Sequence, residues 1–111
     1  MLKIKSGVHL TGLRPEMTPV LVNAATVFGN CGVDAVITAG VDGSHSRGSL
    51  HYVGLALDFR LKHIATLEQK ATVLNAMLAS LGALYDVVWE DAGGINEHLH
   101  VEYQPKQGAN K

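Results

Sequence analysis

A chain of 111 residues is long enough for one domain with its own core, because folding at this size buries roughly two-thirds of the surface an unfolded chain exposes. Nine Lys and Arg are scattered among ten Asp and Glu, so no basic face invites nucleic acid, and no apolar run nears the roughly 20 residues that membrane insertion needs. Cys31 is the only cysteine, which excludes an internal disulfide and a thiolate-rich metal site and leaves it to act as a small buried hydrophobe.

The start, Met1 to Ser6, lacks the apolar stretch of about 7–15 residues that a secretory signal carries, so synthesis in a cytoplasm without a signal peptide is expected. Met17, Val20, Leu21, Ala24, Ala25 and Phe28 recur at three and four residues, which predicts a helix with Pro15 near its first turn and Gly29 or Gly32 closing it. Asp34 to Ala39 reads as a short strand, and Val41 to Gly48 carries loop chemistry. From Leu55 to Arg60 the chain alternates: Leu55, Leu57 and Phe59 face one way, and Ala56, Asp58 and Arg60 the other.

Thr66 to Gln69 has the spacing of a capping box. It opens a second helix whose buried stripe is read as Leu67, Ala71, Leu74, Met77, Leu78 and Leu81, with Gly82 at its exit. Leu84 to Trp89 and His98 to Tyr103 are strands joined by a turn over Ala92 to Asn96, and the tail from Pro105 is polar. The fold expected is a single α+β domain over residues 1–111, with a small, largely antiparallel sheet, two packing helices and a metal site on the sheet face.

The chemistry concentrates in two places, Ser49 to Asp58 and Glu97 to His100. Two imidazoles and a carboxylate are a set that holds a catalytic zinc with one position left open, and a glutamate three residues before the last histidine suits a general base. His51 and Asp58 stand an odd number of residues apart and would point to opposite faces of one continuous strand. A bend at Gly54, which lacks a Cβ, would let His51 fold back over the face that carries Asp58. On the last strand His98, His100 and Glu102 share a face, while Glu97 precedes the run at the mouth of a glycine loop. Each residue also has a plainer reading: a solvated edge for the histidines, and a core carboxylate paired with Arg60 for Asp58.

Taken together, Ser49, His51, Gly54, Ala56 and Asp58 form Ser-x-His-x-x-Gly-x-Ala-x-Asp. This closely resembles the zinc signature of the D-alanyl-D-alanine carboxypeptidase family, which includes vancomycin-resistance dipeptidases and phage endolysins that cut L-alanyl-D-glutamate bonds. Glu97-His98-Leu99-His100 is similar to the family's second signature, and Trp89-Glu90-Asp91 to an aromatic and acidic run upstream of it. The resemblance covers roughly Val36 to Tyr103. It implies one zinc ion on His51, Asp58 and His100, with Glu97 as general base and acid and His98 orienting substrate or stabilising the oxyanion. Ser49 would support the site or face substrate.

Many relatives carry an arginine after the strand that here is Val36 to Ala39, where this chain reads Gly40-Val41-Asp42. Arg47, or else Arg60, would take that role, with Arg47 preferred for its place in the polar loop before Ser49. Glu90, Asp91 and Glu102 would orient the zinc histidines through their other ring nitrogens. The function expected is hydrolysis of peptidoglycan stem peptides or cross-bridges at the bacterial cell wall, as in a phage lysis or virion-associated enzyme. The alternatives are a catalytically silent zinc module and a metal-free structural domain of a phage particle.

Overall fold

The computed structural model describes residues 1–41 and 49–105. Arg47 and most of the predicted 41–48 loop lie outside the described residues, as does the chain beyond residue 105. The elements run β1 (Leu2–Ile4), a 3-10 turn (Pro15–Met17), α1 (Thr18–Asn30), β2 (Ala35–Ala39), a second 3-10 turn (Leu50–Val53), β3 (Ala56–Arg60), α2 (Leu67–Leu81), β4 (Tyr85–Glu90) and β5 (His98–Tyr103). The α+β expectation holds, and three of the four strand pairings are antiparallel.

The sheet has the order β1-β2-β3-β5-β4 and is mixed, because β1 joins β2 in parallel. Three residues are too few to declare a strand through alternation. An ion pair of 2.9 Å between Lys3 and Asp34 helps seat this short strand. In α1 the first turn holds Pro19 rather than Pro15, which opens the separate 3-10 turn, and Gly32 (φ 74°) rather than Gly29 follows the helix end.

Both helices lie on one face of the sheet. Met17, Val20, Ala24 and Phe28 of the first helical stretch meet Ile37, Leu57, Phe59, Leu99 and Val101 of the sheet in a single apolar core, with Val73 and Met77 from α2. Cys31 is half-buried against that core. Thr66 caps α2 as expected, its hydroxyl accepting from the Gln69 amide at 3.1 Å. Of the stripe expected on α2, Met77 is buried and Leu74 and Leu81 pack against the core, but Leu67 and Leu78 are exposed and Val73 is buried in addition. Leu67 is the first residue of the helix and packs outside the core.

The opposite face of the sheet carries the polar half of every alternation, including Thr38, Asp58, Arg60, Glu90, His98, His100 and Glu102. Gly54 controls how the chain enters this face. It ends the second 3-10 turn in the left-handed region (φ 77°), and a Cβ there would stand 2.2 Å from the Gly12 carbonyl oxygen. Neither the conformation nor the space suits a side chain. Gly54→Ala should therefore lower unfolding free energy by about 3 kcal/mol or more in a denaturant titration. A variant as stable as the parent would mean that the turn is not held as described.

Candidate metal centre

The antiparallel register of β3 and β5 sets Asp58 directly opposite His100. The Asp58 Oδ1 atom lies 2.8 Å from His100 Nδ1 and 3.2 Å from His51 Nε2, and the two ring nitrogens are 3.3 Å apart. His51 arrives from the 3-10 turn that Gly54 terminates, so the bend brings it over the face from which Asp58 projects. His51, Asp58 and His100 thus form a group that could hold a metal ion. Tetrahedral coordination with bonds of about 2.0–2.2 Å separates donor atoms by about 3.3–3.6 Å, close to two of these three spacings.

Each histidine is oriented through its other nitrogen. The Nδ1 atom of His51 stands 2.9 Å from the Gly40 carbonyl oxygen, which can only accept, so Nδ1 donates there and Nε2 is the nitrogen that faces the cluster. Gly40 needs to be glycine, because a Cβ would stand 2.7 Å from the His9 carbonyl oxygen. His100 Nε2 donates to Glu102 Oε1 at 2.7 Å, leaving Nδ1 for the centre. Glu102 was among the residues expected to serve here. The Gly40 carbonyl was not, because a backbone acceptor leaves no mark in a residue pattern.

Neighbouring groups within the trio set the protonation of Asp58 and His100. Burial alone would raise the Asp58 carboxyl, but hydrogen bonds from His100 and His51 outweigh it and hold the group well below the usual carboxylate range. His100 is pushed up to about 9, chiefly by its hydrogen bond to Asp58, against the opposing effect of burial. A metal ligand must be deprotonated, so a cation held here would displace the proton that Asp58 keeps on His100.

His98 stands beside the trio, with Nε2 3.7 Å from Asp58 Oδ2 and 2.8 Å from Glu90 Oε1. Its Nδ1 lies 2.7 Å from the Asn96 carbonyl. Burial lowers its pKa, but the Asn96 carbonyl and the nearby carboxylates outweigh burial and raise it. Ser49 caps the turn below: its hydroxyl accepts from the His51 amide at 3.1 Å, so it positions the histidine. Arg60 shares the face and stands opposite His98.

Glu97 is the exception. It keeps the parity of β5 and turns its carboxylate to the helix side, away from the trio. There it accepts from Lys70 Nζ at 2.6 Å, Trp89 Nε1 at 2.8 Å and the Gly93 amide at 3.2 Å. Only 4% of the residue is exposed. Burial would raise its pKa, but these donors prevail and lower it. A buried carboxylate saturated with donors ties α2 to the β4–β5 turn and is a poor proton acceptor. The contacts of Glu97, the expected base, thus lie on the helix side, whereas Glu90 is the carboxylate beside His98 on the metal-side face.

No family model matches the chain, and no curated protein or solved structure matches it. The centre is thus read from its own geometry.

Two outcomes check this description. Glu97→Gln should retain full metal stoichiometry but lose roughly 1–3 kcal/mol of stability, as expected when a buried charge-assisted contact is weakened. An unchanged melting temperature would show that the Lys70 pair contributes nothing. Glu102→Gln should weaken metal binding by roughly 10–100-fold in a competitive chelator titration, because the acceptor that orients His100 becomes neutral. Unchanged affinity would deny Glu102 that orienting role.

Proposed function

We propose that the protein is a zinc-dependent peptidase that hydrolyses peptide bonds in peptidoglycan stem peptides or cross-bridges, with the bacterial cell wall as its site of action. The observation that carries this reading is the convergence of His51 Nε2, Asp58 Oδ1 and His100 Nδ1, with each imidazole oriented from behind. Nitrogen and carboxylate donors without sulfur suit zinc, and three protein ligands leave the fourth tetrahedral position to water or substrate. These residues also occupy the positions at which the chain resembles the D-alanyl-D-alanine carboxypeptidase family. A lysis enzyme or a murein hydrolase carried on a virion fits a compact catalytic unit of this kind.

A bound zinc supplies Lewis acidity, polarising a carbonyl oxygen and lowering the pKa of water from about 15.7 towards about 7. The chain's own residues handle the proton. Glu90, half-exposed on the metal-side face, takes a proton from the attacking water as its oxygen adds to the scissile carbonyl carbon. The proton then passes to the amine nitrogen as the carbon–nitrogen bond breaks. His98, held between the Asn96 carbonyl and two carboxylates, sits where a cationic ring can offset charge on the carbonyl oxygen. Ser49 and Gly54 keep His51 in place throughout.

Incubating the zinc-loaded protein with purified sacculi and sequencing the released termini by mass spectrometry tests the reading. New peptide termini should appear, and Glu90→Gln should reduce their rate by on the order of a hundredfold with zinc content unchanged. If Glu90→Gln cleaves as fast as the parent, the base lies elsewhere. A parent protein that binds zinc but leaves sacculi intact would replace the peptidase reading with that of a silent zinc module.

A further inference from the structure

Helix α2 carries more apolar surface than the core takes up. Val73 and Met77 are buried, but Leu67, Ala71, Leu74, Leu78 and Leu81 form a second row at spacings of four and three residues. Leu67 is 68% exposed and Leu78 42%, while Leu74 and Leu81 are only partly buried. A surface helix ordinarily turns charge to water on such a side. Here Glu68 and Lys70 are the only charged residues of the helix, and Lys70 is engaged by Glu97.

The row accompanies an open sheet edge. Strand β4 ends the sheet order, and α2 packs over it. The Gln104 amide donates to the Leu84 carbonyl at 2.8 Å, which makes these two a hydrogen-bonded pair. By the alternation of an antiparallel ladder, Asp86, Val88 and Glu90 also bond to β5, and Tyr85, Val87 and Trp89 turn their main-chain groups outward. Among the described residues no strand pairs with that edge, and neither a proline nor a bulge blunts it.

Edge and row are each self-complementary. The row reads alike in both directions from Leu74, with Leu67 and Leu81 seven residues to either side. On β4, a two-fold axis through Val87, perpendicular to the sheet, joins the Val87 amide to the Val87 carbonyl of a second copy. It also joins the Trp89 amide to the Tyr85 carbonyl of that copy, and each bond is made twice. This register sets Asp86 beside Val88 and Glu90 beside Leu84 of the second copy. An axis through Asp86 or Val88 would set carboxylate against carboxylate.

The two centres also coincide. Only Gly82 to Leu84 separate α2 from β4, so the two elements run antiparallel. Leu84 to Val87 spans about 10 Å of strand, and Leu81 back to Leu74 about 10 Å of helix, so Leu74 stands level with Val87. The contacts of Glu97 with Lys70 and Trp89 fix the same alignment one helical turn away.

We propose that the β4 edge and the Leu67–Leu81 row together bind a second copy of this chain, forming a two-fold dimer whose five-stranded sheets run on into one. The two α2 helices then lie antiparallel, row against row, roughly 8–10 Å apart. Both metal trios remain uncovered on the opposite face, and the dimer is independent of the peptidase reading.

Sedimentation equilibrium of the full chain, zinc-loaded and chelator-treated, tests this together with amide hydrogen exchange on the same samples. A dimer should form in both states, with the Val87 and Trp89 amides protected. Leu67→Lys and Leu78→Lys, at exposed positions, should each raise the dimer dissociation constant by about tenfold or more, with an unchanged circular dichroism spectrum. Below that constant both amides should exchange. Thr72→Lys, on the other flank of the helix, should leave the dimer intact. A chain that stays monomeric up to millimolar concentration would overturn the proposal. So would a dimer indifferent to both leucine substitutions, protected edge amides in a monomer, or species that grow beyond two copies.

Discussion

The pairing of Asp58 with His100 across β3 and β5 is the contact on which the rest of the site depends, and it is fixed from the other side of the sheet. Leu57 and Phe59 alternate with Asp58 along β3, and Leu99 and Val101 flank His100 along β5; all four apolar residues are buried beneath the helices. A slip of one residue in this register would carry Asp58 or His100 into the core and expose an apolar row. The hydrophobic core therefore does more than stabilise the fold. It aligns a carboxylate with an imidazole to within hydrogen-bond distance, 2.8 Å, before any ion is involved.

What remains is to bring in a third donor and to hold all three still. Gly54 does the first by turning the chain where only glycine fits, and Ser49 and the Gly40 carbonyl hold His51 once it arrives. Glu102 holds His100 from two residues along its own strand. Both helices sit on the far side, so neither covers this polar face. Its charge is uneven: cations gather over β1 and β3, and Glu90 and Glu102 lie over β4 and β5, with the metal trio between them.

Much of this was legible in the sequence because it depends on periodicity and on single residues with strong local meaning. The β5 span, the Thr66 cap, the alternation of β3 and the need for a bend at Gly54 all follow from such signals. The parts that were not legible depend on tertiary choices. Whether Leu78 or Val73 faces the core depends on how α2 rotates against the sheet, and two adjacent stripes of similar hydrophobicity do not decide it. Strand β1 is too short to announce itself.

Glu97 is the instructive case. Its spacing from His100 suggested a base freed from strand parity by a glycine loop, yet the chain is already committed to the strand at that point. Lys70 and Trp89, distant in sequence, supply donors that no local pattern reveals. Ser49 illustrates the reverse, since its hydroxyl serves the backbone of the very turn it introduces.

The central claim is that His51, Asp58 and His100 coordinate one zinc ion. X-ray absorption at the zinc edge, on protein loaded with one equivalent, reads the coordination shell directly. The account predicts two imidazole nitrogens and at least one oxygen at about 2.0–2.2 Å, with the imidazole signal reduced in His51→Ala and in His100→Ala. A shell of oxygens alone, a sulfur contribution from Cys31, or an unaltered spectrum in both variants would contradict it.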